Sequence, residues 1–478
     1  MKVLFAASEA VPFCKTGGLA DVVGALPSAL GRLGVQVTLF LPCYREVKTE
    51  GLALRSAGKV RVPIDGEDIE AELLCTEINE AVVCLVSCPR YYDREGIYGG
   101  RAGGFGDNAQ RYAFFSRAVL EGARHLGRVP DVIHCHDWQT GLIPVYLKTL
   151  YSRDKDLGGI GTILTIHNLA YQGNFDYGAL AAAGLPPALF ADERLKHYNQ
   201  VSYLKGGIVY ADVVNTVSPT YAEEIQTKAF GCGLESTVRA RRADLHGVLN
   251  GLNLELWDPA ADQALVRRYR REDFPEGKAA GKAALQKECG FAPSPRAPLL
   301  SSVTRLDYQK GLDAVLEVLP GLMENGAQYV IAGTGDPELE RKFREIVGRF
   351  PGKVHYDGTF EEPFARRAYA GADMFLMPSR FEPCGLGQMI AMRYGTLPVA
   401  VRTGGLADTV LPHGFLAGAA TAAALSAALA EALRCYQDEE GWRLRVDAAM
   451  ARNFAWDPSA AKYLELYRTA AQRNGPAA

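Results

Sequence analysis

Ser379-Arg380-Phe381-Glu382-Pro383-Cys384-Gly385-Leu386-Gly387-Gln388 decides how the rest of the chain reads. It follows the apolar run Ala372 to Met377, which has the composition of a buried parallel strand, and precedes Met389 to Tyr394, which reads as a helix. A carboxylate and two glycines therefore sit where a strand ends and a helix begins. In an open α/β sheet ligands bind at such places, because the first N–H groups of the helix have no partner within it. The ordinary explanation of Glu382 is a helix-start acid, stabilising by a few tenths to about 1 kcal/mol. A second stretch, Lys15-Thr16-Gly17-Gly18-Leu19-Ala20-Asp21-Val22-Val23, also follows an apolar strand (Val3 to Ala7) and opens a helix. Thr16 to Val23 nearly recur as Thr403-Gly404-Gly405-Leu406-Ala407-Asp408-Thr409-Val410. Two such helix starts, one near each end of the chain, suggest two similar folding units serving one ligand.

Working outward, the first half alternates apolar strands with helical patterns: Val3 to Ala7, Gln36 to Leu41, Val82 to Ser87, Val132 to Cys135, Thr162 to Ile166 and Val213 to Val217, with helices between. A parallel sheet covered on both faces has this pattern. A second series runs through Leu299 to Thr304, Tyr329 to Ala332, Val354 to Tyr356, Met374 to Met377 and Leu397 to Val401. Between them, His246 to Trp257 leads into charged, proline-bearing sequence, which places the domain boundary at residues 245–246. The reading is an α/β chain of two similar domains, 1–245 and 246–455, with a terminal helix over 456–478. Phe415 to Ala430 carries no charge but is mostly small residues and too short to span a membrane; it reads as a loop and an alanine-rich helix.

The chain has 478 residues, enough for two domains, each burying roughly 70 to 75% of its unfolded surface. Its 52 basic and 55 acidic side chains give a formal charge of −3, so no global field draws it to nucleic acid or an anionic membrane. The ten cysteines are scattered without a CxxC pair, which argues for reduced thiols and a cytoplasmic location. The N-terminal apolar stretch is interrupted by Glu9 before it could serve as a secretion signal.

KTGGLADVVGALP at the N-terminus, HDWQTGL from His136, TIHNLAYQG around His167, TRLDYQKGLD around Arg305 to Asp313 and SRFEPCGLGQ occur in that order. Together they resemble the bacterial glycogen synthases and plant starch synthases over essentially the whole chain. The resemblance implies a GT-B fold, two Rossmann-like domains facing across a cleft, and retaining transfer of glucose from ADP-glucose to the non-reducing 4-OH of an α-1,4-glucan. The acceptor would be glycogen or a maltooligosaccharide. It further implies no cofactor beyond the nucleotide-sugar co-substrate and no metal. The oligomeric state stays open. UDP-glucose as donor, or a phosphorylase of the same fold, are the nearer alternatives, and a glycan-binding protein without turnover is the remote one. A dinucleotide oxidoreductase would need a GxGxxG turn, and Gly333-Thr334-Gly335-Asp336-Pro337-Glu338 lacks the third glycine.

Carried over residue by residue, the resemblance makes Lys15, Gly18 and Asp21 donor-site residues. A lysine beside glycines that admit an anion closely fits that role, although a surface lysine is the ordinary reading. Arg305 and Lys310 become stabilisers of the leaving diphosphate, since charge grows there as the glycosidic bond breaks. Glu382, with the Cys384, Gly385 and Leu386 backbone, faces the donor sugar. His167 is a catalytic-site residue against the donor glucose, beside Asn168. Asp137 lies near the acceptor, where Trp138 could offer a ring to a sugar face or simply pack in the core. Asn250 and Tyr98 are further donor or glycan contacts. Phe360 would stack on the nucleobase. His134, Cys135 and His136 alternate along a strand, so the two histidines share a face; without a third ligand of evident spacing they read as packed or hydrogen-bonded rather than as a zinc site. Asp154-Lys155-Asp156 reads as a solvated turn, not a metal-binding DxD. The sequence departs from the resembled family at Gly387, a donor-site position where many members carry Thr and where a backbone N–H would take the place of the hydroxyl, and it has Ile390 where other retaining enzymes have a second glutamate. Two domains closing on one ligand would imply a hinge near His246 to Asn253.

Overall fold

The computed structural model describes residues 1–64, 66–78, 81–100, 103–359 and 361–474. It divides into two compact units, one formed by Met1–Gly251 with the segment from Trp456 onward, the other by Leu252–Ala455. The first unit extends past the expected boundary for a simple reason. His246 lies in the strand Leu245–Gly247, which pairs in parallel with Val213–Thr216 and so belongs to the first sheet rather than to a linker.

That sheet has, among the described residues, nine strands in the order Leu245–Gly247, Val213–Thr216, Gly161–Ile166, Val132–His136, Lys2–Ala6, Gln36–Pro42, Ala81–Ser87, Glu67–Ile78 and Arg55–Ile64. The first seven run parallel. Val132–His136 and Gly161–Ile166 are buried at every position, as strands with both faces covered must be. The last two strands form an antiparallel hairpin that no continuous apolar run marks. Its buried residues alternate with charged ones: Val60 opposes Ala71 and Val62 opposes Ile69 on the covered side, while Lys59 and Glu70 pair at 2.6 Å in solvent.

The helix Asp457–Gln472 completes the first unit. Arg32 meets Asp457 at 2.9 Å, and the hydroxyls of Tyr463 and Tyr467 bond to Asn215 and His134 inside the sheet's cover, each at 2.9 Å.

The second unit holds an all-parallel sheet in the order Val354–Asp357, Gln328–Ala332, Leu299–Val303, Met374–Met377, Leu397–Val401 and Phe415–Ala417. Phe415–Ala417 is thus an edge strand and not a loop; the alanine-rich helix begins after it, at Ala422.

Both sheets have a topological switch point. In the first unit Lys2–Ala6 and Val132–His136 are neighbours, and the chain leaves them in opposite directions, toward Gln36–Pro42 and Gly161–Ile166. In the second, Leu299–Val303 and Met374–Met377 are neighbours and lead outward to Gln328–Ala332 and Leu397–Val401. The loops after such strand pairs splay apart and leave a crevice at the carboxyl ends, which is where open α/β sheets take ligands. No helix among the described residues is long and apolar enough to cross a membrane.

Candidate active site

In the second unit the two loops at the switch point carry the expected cations and carboxylate. Lys310 ends a short 3-10 turn, Tyr308–Lys310, whose N-cap Asp307 accepts the Lys310 backbone N–H at 3.2 Å. Its Nζ donates to Oε2 of Glu382 at 2.6 Å, with the two side chains 15% and 8% exposed. Ser379 Oγ donates to the same oxygen at 2.9 Å. Glu382 is therefore a buried carboxylate held by one cation and one hydroxyl. Arg305 stands half-exposed near the start of the Lys310 loop, 3.4 Å from Asp307. The loops are tied to each other by Arg380, which donates to Tyr308 O at 2.8 Å, lies over the Tyr308 ring at 4.1 Å and forms a bidentate pair with Asp313 at 2.9 and 2.6 Å.

The glycines of this stretch answer to close approach. Gly385 has φ of +74°, a conformation only glycine takes freely. A Cβ at Gly404 or Gly405 would fall about 2 Å from the Glu382 or Cys384 carbonyl, so the repeat TGGLAD packs its helix start directly under the Glu382 loop. Gly405 N–H donates to Glu382 O at 3.1 Å, and Gln388 fixes the same loop by donating to Cys384 O, Gly385 O and the Thr409 hydroxyl. Gly387 opens the helix Gly387–Arg393. A Cβ there would come within 3.0 Å of Phe375 and 3.3 Å of the Tyr369 hydroxyl, so the space a larger residue needs is taken by these rings.

In the first unit the loop after Lys2–Ala6 is organised by Glu9, which is 3% exposed and had stood out in the sequence only as the polar break in an apolar run. Its carboxylate accepts the Thr16 N–H, the Thr16 hydroxyl at 2.7 Å, the Gly17 N–H at 3.2 Å and the Tyr98 hydroxyl. Tyr98 also shares a 2.7 Å bond with Ser8 Oγ, and burial together with the nearby Glu9 charge pushes its phenol well above the ordinary range. The turn Lys15 to Gly18 is thus folded around one buried carboxylate. Lys15 Nζ reaches Asp21 at 2.7 Å.

Asp137 ends the adjacent strand with φ +57° and ψ −167°, a region that costs about 1–3 kcal/mol for a residue with a side chain. Its carboxylate accepts the His167 N–H at 2.7 Å and lies beside the Asn168 N–H. Burial nevertheless outweighs these donors and pushes the carboxyl up to about 7. His167 is pushed down to about 3 by burial, so its ring is neutral near pH 7. Its Nε2 lies 2.9 Å from Nδ1 of His136, whose ring packs against that of His134 at a tilt of 33°, centroids 4.1 Å apart. His134 closes the row with bonds to the Tyr467 hydroxyl and, at 2.6 Å, to Thr165 Oγ1. Burial lowers both His134 and His136 well below the usual imidazole range, and His136 Nε2 has no partner among the described residues.

The profile described as "Starch synthase catalytic domain" matches residues 2–240, and that for "Glycosyl transferases group 1" matches residues 297–435. A glycogen synthase of Syntrophotalea carbinolica is 44% identical over 481 residues, covering 99% of each chain. Glycogen synthase 2 of Geobacter metallireducens is 44% identical over 98% of this chain and 99% of its own. The catalytic domain of starch synthase IV from Arabidopsis thaliana, solved with ADP and acarbose, superposes with a TM-score of 0.90 at 34% identity, covering 98% and 99%. This chain belongs to the starch and glycogen synthase family. It is a glycosyltransferase of the GT-B fold, an architecture it shares at the level of fold with the sucrose-phosphate synthase of Thermosynechococcus elongatus (TM-score 0.62, 18% identity, 98% of each chain).

Within the synthase, the residues proposed from sequence fall into two groups. Lys15, Gly18, Asp21, Tyr98, Asp137, His167 and Asn168 gather at the first unit's switch point, and Arg305, Lys310, Glu382 and Cys384 to Gly387 at the second's. Asn168 spends its side-chain oxygen on the Ala170 N–H at 3.0 Å. Trp138 packs among Tyr112, Phe175 and the backbone of Gly173 and is only half-buried, so the core reading describes its contacts. Asn250 is buried near the end of the first unit, its Oδ1 without a hydrogen bond among the described residues. Phe360 lies outside the described residues. Asp154 of the DxD-like triplet accepts the Asp156 and Leu157 N–H groups and pairs with Arg124, closing a turn. His134 and His136 are packed and hydrogen-bonded, as read from the sequence, whereas Glu9 and Ser379 were given no site role there, because what singles them out is their partners and not their spacing.

Proposed function

We propose that this synthase transfers glucose from ADP-glucose to the non-reducing 4-OH of an α-1,4-glucan with retention of anomeric configuration, in the cytoplasm and without a metal ion. The observation that carries this reading is the Lys310–Glu382 pair at 2.6 Å, buried at a sheet switch point with Arg305 earlier on the Lys310 loop. An ammonium has three N–H groups. One of them holds Glu382, which leaves Lys310 able to donate to a diphosphate as well, with Arg305 adding a second cation. Negative charge develops on the leaving diphosphate as positive charge develops at the anomeric carbon. Pre-placed cations stabilise the first and the Glu382 carboxylate offsets the second, and both effects are stronger in the transition state than in the ground state.

Retention follows if the acceptor attacks from the face the diphosphate leaves, with the departing oxygen taking the acceptor's proton. His167, neutral near pH 7, acts as a sugar-binding group and not as an acid. Cations in place of a metal predict activity in the presence of a chelator.

The test is glucose incorporation into glycogen from ADP-glucose and UDP-glucose, side by side, for wild type and Glu382→Ala. ADP-dependent incorporation lost in the variant supports the reading. Incorporation from UDP-glucose alone would overturn the nucleotide assignment, and none from either donor would favour a phosphorylase or a binding protein.

A further inference from the structure

Away from both switch points, the antiparallel strands Glu67–Ile78 and Ala81–Ser87 bring Cys75 and Cys84 directly opposite each other. Their Sγ atoms lie 2.7 Å apart, in thiol contact. Opposed residues of an antiparallel pair have Cα atoms about 4.5 to 5.5 Å apart, inside the range a disulfide spans without moving the backbone. The two thiols differ in access: Cys84 is fully buried, whereas Cys75 is partly open to solvent.

We propose that Cys75 and Cys84 form a reversible disulfide when the chain meets a low-molecular-weight disulfide such as glutathione disulfide, with Cys75 as the attacking thiol and Cys84 as the resolving one. The Cys75 thiolate attacks one sulfur of the small disulfide and expels one small thiolate, leaving a mixed disulfide on Cys75. Cys84 then gives up its proton and attacks Cys75 Sγ, and the second small thiolate leaves and takes that proton. Two protein thiols are oxidised by two electrons, and one disulfide is reduced to two thiols. The order follows from burial, since a bulky disulfide cannot reach Cys84 first. Hydrogen bonding with Cys84 and the nearby Arg128 lower the Cys75 thiol against the opposing effect of burial, which raises its thiolate fraction.

This makes the antiparallel pair Glu67–Ile78 and Ala81–Ser87 a redox-responsive staple, formed from side chains that neither switch point uses. Each other cysteine serves as a comparison, above all Cys232, which is exposed. The full chain would be incubated with a series of reduced and oxidised glutathione ratios, then alkylated, digested without reductant and mapped by mass spectrometry. The expected product is a peptide pair joined through Cys75 and Cys84, lighter by two hydrogens, reversed by dithiothreitol, with an unchanged circular dichroism spectrum. Cys84→Ser should accumulate glutathione on Cys75, and Cys75→Ser should leave Cys84 unmodified. The proposal is overturned if Cys75 and Cys84 stay reduced at ratios that glutathionylate Cys232, or if Cys84→Ser gives no adduct on Cys75.

Discussion

The hydroxyl of Tyr467 lies 2.9 Å from Nδ1 of His134, joining the last helix to a central strand 333 residues earlier in the chain. Both groups are fully buried. His134 Nε2 is already committed to Thr165 Oγ1, so Tyr467 is the bond that completes its ring. Through the packed rings of His134 and His136 and the His136–His167 bond, that helix supports a residue at the switch point.

Tyr467→Phe would keep the ring and remove only the hydroxyl. A buried imidazole nitrogen left without a partner costs about 1–3 kcal/mol. Denaturant unfolding should show that loss as a lowered midpoint with an unchanged slope. His134→Gln in the same background should cost less than it does alone, because the two changes remove one shared bond.

The Lys310–Glu382 pair makes a second expectation. Removing one member of a buried pair strands the other charge. Lys310→Ala should lower kcat about 100- to 1,000-fold, as loss of a transition-state charge partner does, and raise KM for the nucleotide sugar. Glu382→Gln preserves shape and the Ser379 contact but removes the charge; it should lower kcat by a similar factor with little change in KM. Steady-state kinetics separates the two roles, and equal losses in KM alone would contradict them.

Glu9 accepts from four donors at once, and Gln in its place presents an NH2 group to some of them. Glu9→Gln should therefore disorder the Lys15 to Gly18 turn and raise KM for the donor by about tenfold, while Tyr98→Phe, which removes one donor and leaves the carboxylate, should do less. The free-energy scale is about 1–3 kcal/mol for each unsatisfied buried group. The reverse order of effect would remove Glu9 from its place as organiser of the loop.

The stretches that lie at both switch points were legible because they combine two signals, an apolar run that can only be a buried strand and a glycine turn that opens a helix. Lys15, Arg305, Lys310 and Glu382 stand next to such turns. The hairpin Arg55–Ile64 and Glu67–Ile78 was not legible, since a strand with one covered face alternates Val60 and Val62 with charged residues and looks like surface. Phe415–Ala417 was hidden by its length: three residues carry no period. Glu9 shows the limit at the site. A glutamate at a strand end reads as a solvated break, and only the fold reveals that four donors from residues 16, 17 and 98 close around it.

Gly387 offers a test of space. Gly387→Ala brings a methyl to within 3.0 Å of Phe375, which is 1% exposed and cannot swing away freely. Overpacking of this kind costs about 1–3 kcal/mol. Phe375→Leu should relieve it, so the double variant should be more stable than the sum of the single changes by thermal denaturation.

Asp137 makes stability depend on pH in a direction opposite to the histidines. Its folded carboxyl titrates at about 7 against an ordinary 3.8, so between those values the folded chain binds a proton that the unfolded chain releases. Stability from this group is therefore lost as pH rises from about 4 to 7, by up to about 4 kcal/mol. His167, lowered to about 3 from 6.5, works the other way. The unfolded chain takes up a proton there that the folded chain refuses, so its contribution is lost as pH falls below 6.5. Asp137→Asn keeps an oxygen to accept the His167 N–H but cannot ionise. The difference in unfolding free energy, variant minus wild type, should grow between pH 4 and 7 and level off above 7, while both proteins lose stability below pH 6 through the histidines. A difference that stays flat across pH 4 to 7 would mean that the Asp137 carboxyl is ionised throughout, held by its two backbone donors against the cost of burial.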